Sequence, residues 1–327
     1  MRVFVTGASG AIGIRLVPQL IARGHEVVGT YRSAGSRERL ATLRAEPILL
    51  DLLDPGAVRK AVFESEPEAI VHEATALADV KFSRNLDRSF VETNLLRTKG
   101  TDNLIAAARE AGVPRFVAQS VASFGRYARE GGPVKTEDDP LDPNPVDGMS
   151  ETAAAIWYLD RAVTEAGGIA LRYGAFYGAA NDGLLEPVRK GQFPIVGDGG
   201  GVFSWIHLDD AATATVLALE HDGPAIYNIV DDEPAPVRDW LPVLADALGA
   251  NPPRRVPAWL ARRIAGEAAV MMGTEARGAS NAKAKRELGW TLRYPSWRQG
   301  FAVVYAKPIA STATQIPTPA SSPAANA

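Results

Sequence analysis

The 327-residue sequence contains no cysteine. That absence removes disulfides, thiolate nucleophiles and most zinc geometries, and it fits a reducing, cytoplasmic compartment. Histidine is nearly as scarce, and His25, His72, His207 and His221 include no pair at helical ligand spacing. No metal centre is expected. Positive charge is not in excess either: 35 Lys and Arg stand against 38 Asp and Glu, a net charge of −3. Nucleic-acid phosphates demand a basic face, so nucleic acid is not an expected partner. No apolar run approaches the roughly 18 residues that span a bilayer, so no membrane partner is expected. The opening MRVFVTGASGAIG enters a strand at once and does not read as a signal peptide. No internal repeat is found. The segment 309–327 has no charged side chain and no periodicity, and reads as a disordered tail.

What is present is alternation. Hydrophobic residues make up 46% of the chain, enough for one large core or two modest ones. Apolar runs begin at Val3, Glu26, Glu46, Glu68, Arg115 and Gly168, and amphipathic helical stretches separate them. Continuous apolar strands alternating with helices predict an α/β fold, a doubly wound parallel sheet covered on both faces. Such a sheet places its strand C-termini on one edge, where a ligand binds. The reading is a dinucleotide-binding Rossmann domain over 1–173 and a smaller mixed lobe over 174–308, partly interleaved with it. In that lobe PAWLARRIAGEAAVMM predicts one helix with Leu260, Ile264, Ala268 and Met271 on its apolar stripe. Asp209 is the expected N-cap of the helix after FSWIH.

TGASGAIG, Thr6 to Gly13, follows the first strand and opens the first helix. Gly7 permits the turn, Gly10 lets backbone approach a pyrophosphate, and Gly13 lets the helix pack closely. The helix N-terminus then offers free N–H donors to the phosphates. About 20 residues on, an NAD protein carries an acid that accepts the ribose 2′-OH. Here Tyr31 holds that position and Arg32 follows, able to bind a 2′-phosphate or to remain a solvated loop residue. NADP is expected over NAD, with NAD as the alternative.

These motifs resemble the extended short-chain dehydrogenase/reductase family, in its NAD-dependent epimerase/dehydratase branch. TGASGAIG is similar to TGxxGxxG, FSWIHLDD to the RDFIHVDD element, and NAKAKRELGW to the C-terminal signature. The resemblance implies cofactor contacts from Gly7, Ser9, Gly10, Ala11, Ile12 and Gly13, and from Tyr31, Arg32, Asp51 and Leu52. It extends them to Ala74, Thr75, Ala76, Asn94, Gln119, Tyr173, Gly174 and Phe176. Ser120 takes the catalytic serine position.

The departures are chemical. The family places a proton-transferring Tyr and a Lys four residues later on one helix; Met149 and Ala153 stand there in PVDGMSETAAAIWYLD. Neither moves a proton. Tyr127, in the loop after strand five, is the candidate relay beside Ser120, and Lys135 follows it; both read equally as solvated loop residues. Tyr177 is a second donor candidate or a packing residue. The family's diphosphate-binding Arg is replaced by Phe203. Phe124, Met149, Tyr177, Phe203 and Trp205 therefore predict an apolar substrate pocket. The expected function is an NADP-dependent reductase of a small carbonyl or unsaturated molecule. A sugar-nucleotide epimerase or dehydratase and a catalytically silent NADP sensor are the alternatives. The long helices near Asn94 and Met149 offer a homodimer surface, or are covered within one chain.

Overall fold

The apolar runs become the strands of one sheet. A computed structural model describes residues 1–77, 80, 83–122, 125–178 and 184–305. Its central sheet comprises β1 (Arg2–Thr6), β2 (Glu26–Tyr31), β3 (Glu46–Leu49), β4 (Ala69–His72), β5 (Arg115–Val121), β6 (Ile169–Tyr173) and β7 (Ala225–Ile229). The order is β7-β6-β5-β4-β1-β2-β3, and every neighbouring pair is parallel. The reversal between β1 and β4 is the switch point at which doubly wound sheets bind ligands.

The period of two along each strand sorts the core into two layers. Val3, Val5, Val71, Val117, Leu171 and Tyr227 face the helices Gly13–Ala22 and Leu208–Leu219. Phe4, Ile70, Phe116, Ala118 and Ala170 face the helices Pro55–Ser65, Thr101–Glu110 and Ser150–Glu165. Two of these elements, β7 and the 208–219 helix, come from beyond residue 174. The sheet thus takes its edge strand from the stretch read as the second lobe, and the interleaving is deep.

A third core lies outside the sheet, where Tyr177, Trp205, Trp240, Trp297 and Phe301 pack together. Two expectations change here. The predicted long helix is two, Ala258–Ala265 and Glu267–Thr274, parted at Gly266. Gly266 has φ +89°, and a Cβ there would lie 2.6 Å from the Arg84 carbonyl oxygen. Ile264 is consequently exposed, while Ala268 and Met271 are buried. The N-cap of the 208–219 helix is His207, whose Nδ1 accepts from the Asp209 N–H at 3.1 Å. Burial holds the His207 imidazole down at about 4, so the ring is neutral and has a lone pair for that bond. Phe124 and the 309–327 tail lie outside the described residues.

Candidate active site

The glycine turn is built for a ligand with no room for side chains. Gly7 has φ +71°, and a Cβ on it would sit 2.6 Å from the backbone carbon and oxygen of Glu73. A Cβ on Gly13 would lie 2.4 Å from the Ala8 carbonyl oxygen. Gly10 N–H donates to the Gly7 carbonyl at 2.9 Å, closing the turn ahead of the 13–22 helix. That places backbone and a helix N-terminus at the C-terminal edge of β1, a cradle that fits a dinucleotide pyrophosphate.

Toward the expected adenosine end, Tyr31 closes β2 and Arg32 follows it, exposed and ion-paired with Glu92. Arg39, which sequence reasoning passed over, donates from Nη1 to the Ser9 carbonyl at 3.2 Å. Asp51 turns its Oδ1 to the Leu53 N–H at 2.9 Å, and Leu52 is buried with its carbonyl held by Asn103 at 2.8 Å. Across the edge, Ala74 abuts Gly7 through its backbone, and the Ala76 N–H donates to Thr93 Oγ1 at 3.2 Å. Ala11, Ile12 and Thr75 sit in these same turns.

Beneath the turn lies a buried polar layer that the apolar strand pattern concealed. Glu73 is 5% exposed, and its Oε1 accepts from the Tyr173 hydroxyl at 2.9 Å. The Gln119 amide, with nitrogen toward Glu73, donates to Oε2 at 2.9 Å. The Tyr173 hydroxyl also meets Thr215 Oγ1 at 2.6 Å, and its ring lies 5.4 Å from that of Phe176. Burial pushes the Glu73 carboxyl up to about 8, against a smaller lowering by the Tyr173 bond. Gly174 continues this wall, its N–H bonded to the Ile229 carbonyl at 3.1 Å.

On the opposite face of the sheet, Ser120 is buried and its Oγ has no partner among the described residues. Its neighbour across the β5–β6 pairing is Arg172. Met149, one residue before the 150–165 helix, is buried among Leu86, Phe90, Ala268 and Met271. Ala153 is buried one turn on. The helix is therefore retained with hydrocarbon at both reactive positions. Asn94 donates from Nδ2 to Thr152 Oγ1 at 3.1 Å, and the Thr152 N–H donates to Asp87 Oδ1 at 2.8 Å.

Below this corner three arginines surround one aspartate. Asp160 Oδ2 accepts from Arg126 and, at 2.8 Å, from Arg172 Nε. Arg97, also buried, reaches Asn94 Oδ1 at 3.4 Å and makes no ion pair among the described residues. Burial lowers Arg97 to about 10, with Asp160 opposing and Arg126 assisting, so it stays charged at neutral pH.

Tyr127 differs most from expectation. Its loop forms a bridge to Leu141, and the ring is 1% exposed. The hydroxyl donates to Asn228 Oδ1 at 2.7 Å and receives Arg172 Nη1 at 3.4 Å. Desolvation raises the phenol above its ordinary value, so it holds its proton in a structural bond. Lys135 is likewise engaged, donating to the Glu130 carbonyl at 2.6 Å. The aromatic set also packs inward. Tyr177 and Trp205 are each 1% exposed, with rings 6.5 Å apart, and the half-buried Phe203 stacks on Trp205 and tilts against Trp240. These three build the core of the second lobe, and only Phe203 presents an edge outward. Arg277 donates from Nε to the Arg129 carbonyl at 2.9 Å.

With this geometry in view, residues 3–230 match the NAD dependent epimerase/dehydratase family, and the chain belongs to that family. It is 42% identical over 310 residues to the 3-diazoavenalumate denitrifying reductase of a Streptomyces species, covering 92% of this chain and 99% of that one. It is 31% identical over 265 residues to the 2-alkyl-3-oxoalkanoate reductase of Stenotrophomonas maltophilia strain K279a, covering 76% of each. Among solved structures, the Thermus thermophilus UDP-glucose 4-epimerase complex with NAD matches with TM-score 0.69 and 27% identity, over 93% of this chain and 98% of that one. The protein is an oxidoreductase with a nicotinamide-dinucleotide site. Among the described residues no helix is long and apolar enough to cross a membrane.

Proposed function

We propose that this enzyme uses NADP(H) to deliver hydride to a small, largely apolar organic electrophile that takes no proton from the protein. The observation that carries this reading is the pair Met149 and Ala153, hydrocarbon where the family resemblance places its proton-moving Tyr and Lys. The bound cofactor supplies the hydride; the chain supplies position. The Gly7–Gly13 cradle fixes the pyrophosphate, and the apolar wall of Leu86, Phe90 and Met149 excludes water. Ser120 Oγ, buried and without a partner among the described residues, is free to donate to an acceptor atom of the substrate.

The 42%-identical relative is named as a denitrifying reductase of a diazo acid. A diazo group in its cationic diazonium form is an electrophile of the kind that fits. A C–H bond forms with the hydride pair, the C–N bond breaks, and dinitrogen leaves with that bond's electrons. Charge balances without a proton, so Tyr and Lys have no task. An NADPH carrying deuterium at the transferred position should deliver it to the carbon that lost nitrogen, with an arene diazonium salt as probe. Deuterium taken instead from D2O, or turnover of ketones alone, would overturn the reading. The apolar Phe203 edge and the absence of an arginine there disfavour a sugar diphosphate.

Two arginines support NADP. Arg39 donates to the Ser9 carbonyl, and Arg32 follows Tyr31 at the end of β2, where a 2′-phosphate would compete with Glu92 for its guanidinium. Each lost charge-assisted contact is expected to weaken NADPH binding about tenfold while leaving NADH binding unchanged. Titration of Arg32→Ala and Arg39→Ala with both cofactors checks this. An unaltered NADPH-to-NADH ratio in both variants contradicts the NADP assignment.

A further inference from the structure

We infer that Glu73 is an electrostatic partner of the nicotinamide ring: its ionised carboxylate favours the oxidised, cationic ring and so draws hydride out of the reduced cofactor. The inference rests on the dinucleotide site and deepens it; it does not depend on which substrate accepts the hydride.

Placement carries the argument. Glu73 follows β4 at the ligand edge of the sheet, and its backbone is the surface against which Gly7 closes. Its carboxyl is held from two further strand ends, by Gln119 of β5 and Tyr173 of β6. Tyr173 ends β6, on the side of the glycine cradle away from the β2–β3 end expected to take adenosine, and so on the side left for the nicotinamide. Burial disfavours the ionised form at that convergence, so the carboxyl loses its proton more readily when a cation faces it. No Lys or Arg among the described residues pairs with it. Among the described residues its titratable neighbour is the Tyr173 phenol; His72, from β4, turns to Thr6 Oγ1 at 2.7 Å on the other face and is held neutral at about 4. Thr215, from the 208–219 helix, brings no charge.

A nicotinamide held there would carry one more positive charge in its oxidised form than in its reduced form. A carboxylate in a low-dielectric setting nearby stabilises that charge and needs no reorganisation. Reciprocally, the oxidised cofactor draws the Glu73 proton off, while the reduced cofactor does not. Because the carboxyl titrates near 8, it is protonated at pH 6.5 and ionised at pH 9. Oxidised cofactor should therefore bind progressively better, relative to reduced cofactor, as pH rises between those limits. The 2′-phosphate is common to both forms and cancels in the ratio.

The test is equilibrium binding of NADP⁺ and NADPH to the intact enzyme from pH 6.5 to 9. In the wild type, the ratio of the NADP⁺ to the NADPH dissociation constant is expected to fall roughly three- to tenfold. Glu73→Gln keeps the size and the acceptor for Tyr173, with Gln119 turning its amide oxygen to the new N–H, and the ratio should become flat in pH. Tyr173→Phe removes a bond to the ionised form and should move the titration to higher pH. A flat ratio in the wild type, or an unchanged slope in Glu73→Gln, overturns the inference. If the enzyme instead prefers NAD, the same measurement with NAD⁺ and NADH judges Glu73 independently of the NADP reading.

Discussion

Gly7→Val is expected to abolish dinucleotide binding, with at least a hundredfold rise in the dissociation constant and a lowered melting temperature. Three separate costs meet at this residue. Its φ of +71° is a region that a β-branched side chain rarely adopts. Its Cβ would lie 2.6 Å from the Glu73 carbonyl and 2.8 Å from the Ala74 N, both backbone atoms fixed by the sheet. The strand or the turn must then move, and the turn is where the pyrophosphate would rest. Titration of cofactor fluorescence alongside thermal unfolding separates the two effects. A variant that binds normally would show that the turn relaxes without cost and that the cradle is misassigned.

The second large effect concerns stability. Asp160→Ala leaves Arg126 and Arg172 buried with no carboxylate between them. Removing one partner of a buried ion pair typically costs about 3–5 kcal/mol, far more than losing a surface pair. For a chain of this size that is a fall of about 4–8 °C in the unfolding midpoint. Asp160→Asn keeps the volume and should behave almost as badly, because charge rather than packing is lost. Chemical denaturation with both variants checks this, and a shift under about 1 kcal/mol in each would show that water or another acid compensates the arginines.

Much of this molecule is written in local pattern. Six apolar runs gave six sheet strands, and the glycine turn lies between β1 and the first helix as its spacing requires. Ser120, Met149 and Ala153 fall at the end of β5 and the start of one helix, as the motifs implied. What local pattern could not carry is partnership across the chain. Tyr127 reads as a loop residue because its neighbours are Gly, Arg and Ala; its actual partner, Asn228, is 101 residues away. Arg97, Arg126, Asp160 and Arg172 lie on three different elements and a loop with no shared period, so nothing short-range announced their meeting. Arg172 within IALRY and Glu73 at the close of IVHE were the available signals, single charges embedded in otherwise apolar strands. Gly266 was read as helix interior, although a glycine amid good helix formers is itself a warning. The split of that helix followed from its neighbour Arg84, not from its own sequence.

The edge strand β7 has a consequence for the order in which the molecule is assembled. Residues Ala225–Ile229 must be synthesised before the flank of β6 is covered, and the helix that seals one face, Leu208–Leu219, also emerges late. A nascent chain of roughly 175 residues would hold most of the cofactor cradle while presenting an unpaired strand edge and a bare apolar layer, the state most open to wrong pairing. Long-range closure of this kind also slows folding, since the loop must close before its contacts reward it. The dinucleotide edge and the second lobe are thus a single inheritance: neither can be cut away and grafted elsewhere without breaking the sheet they share.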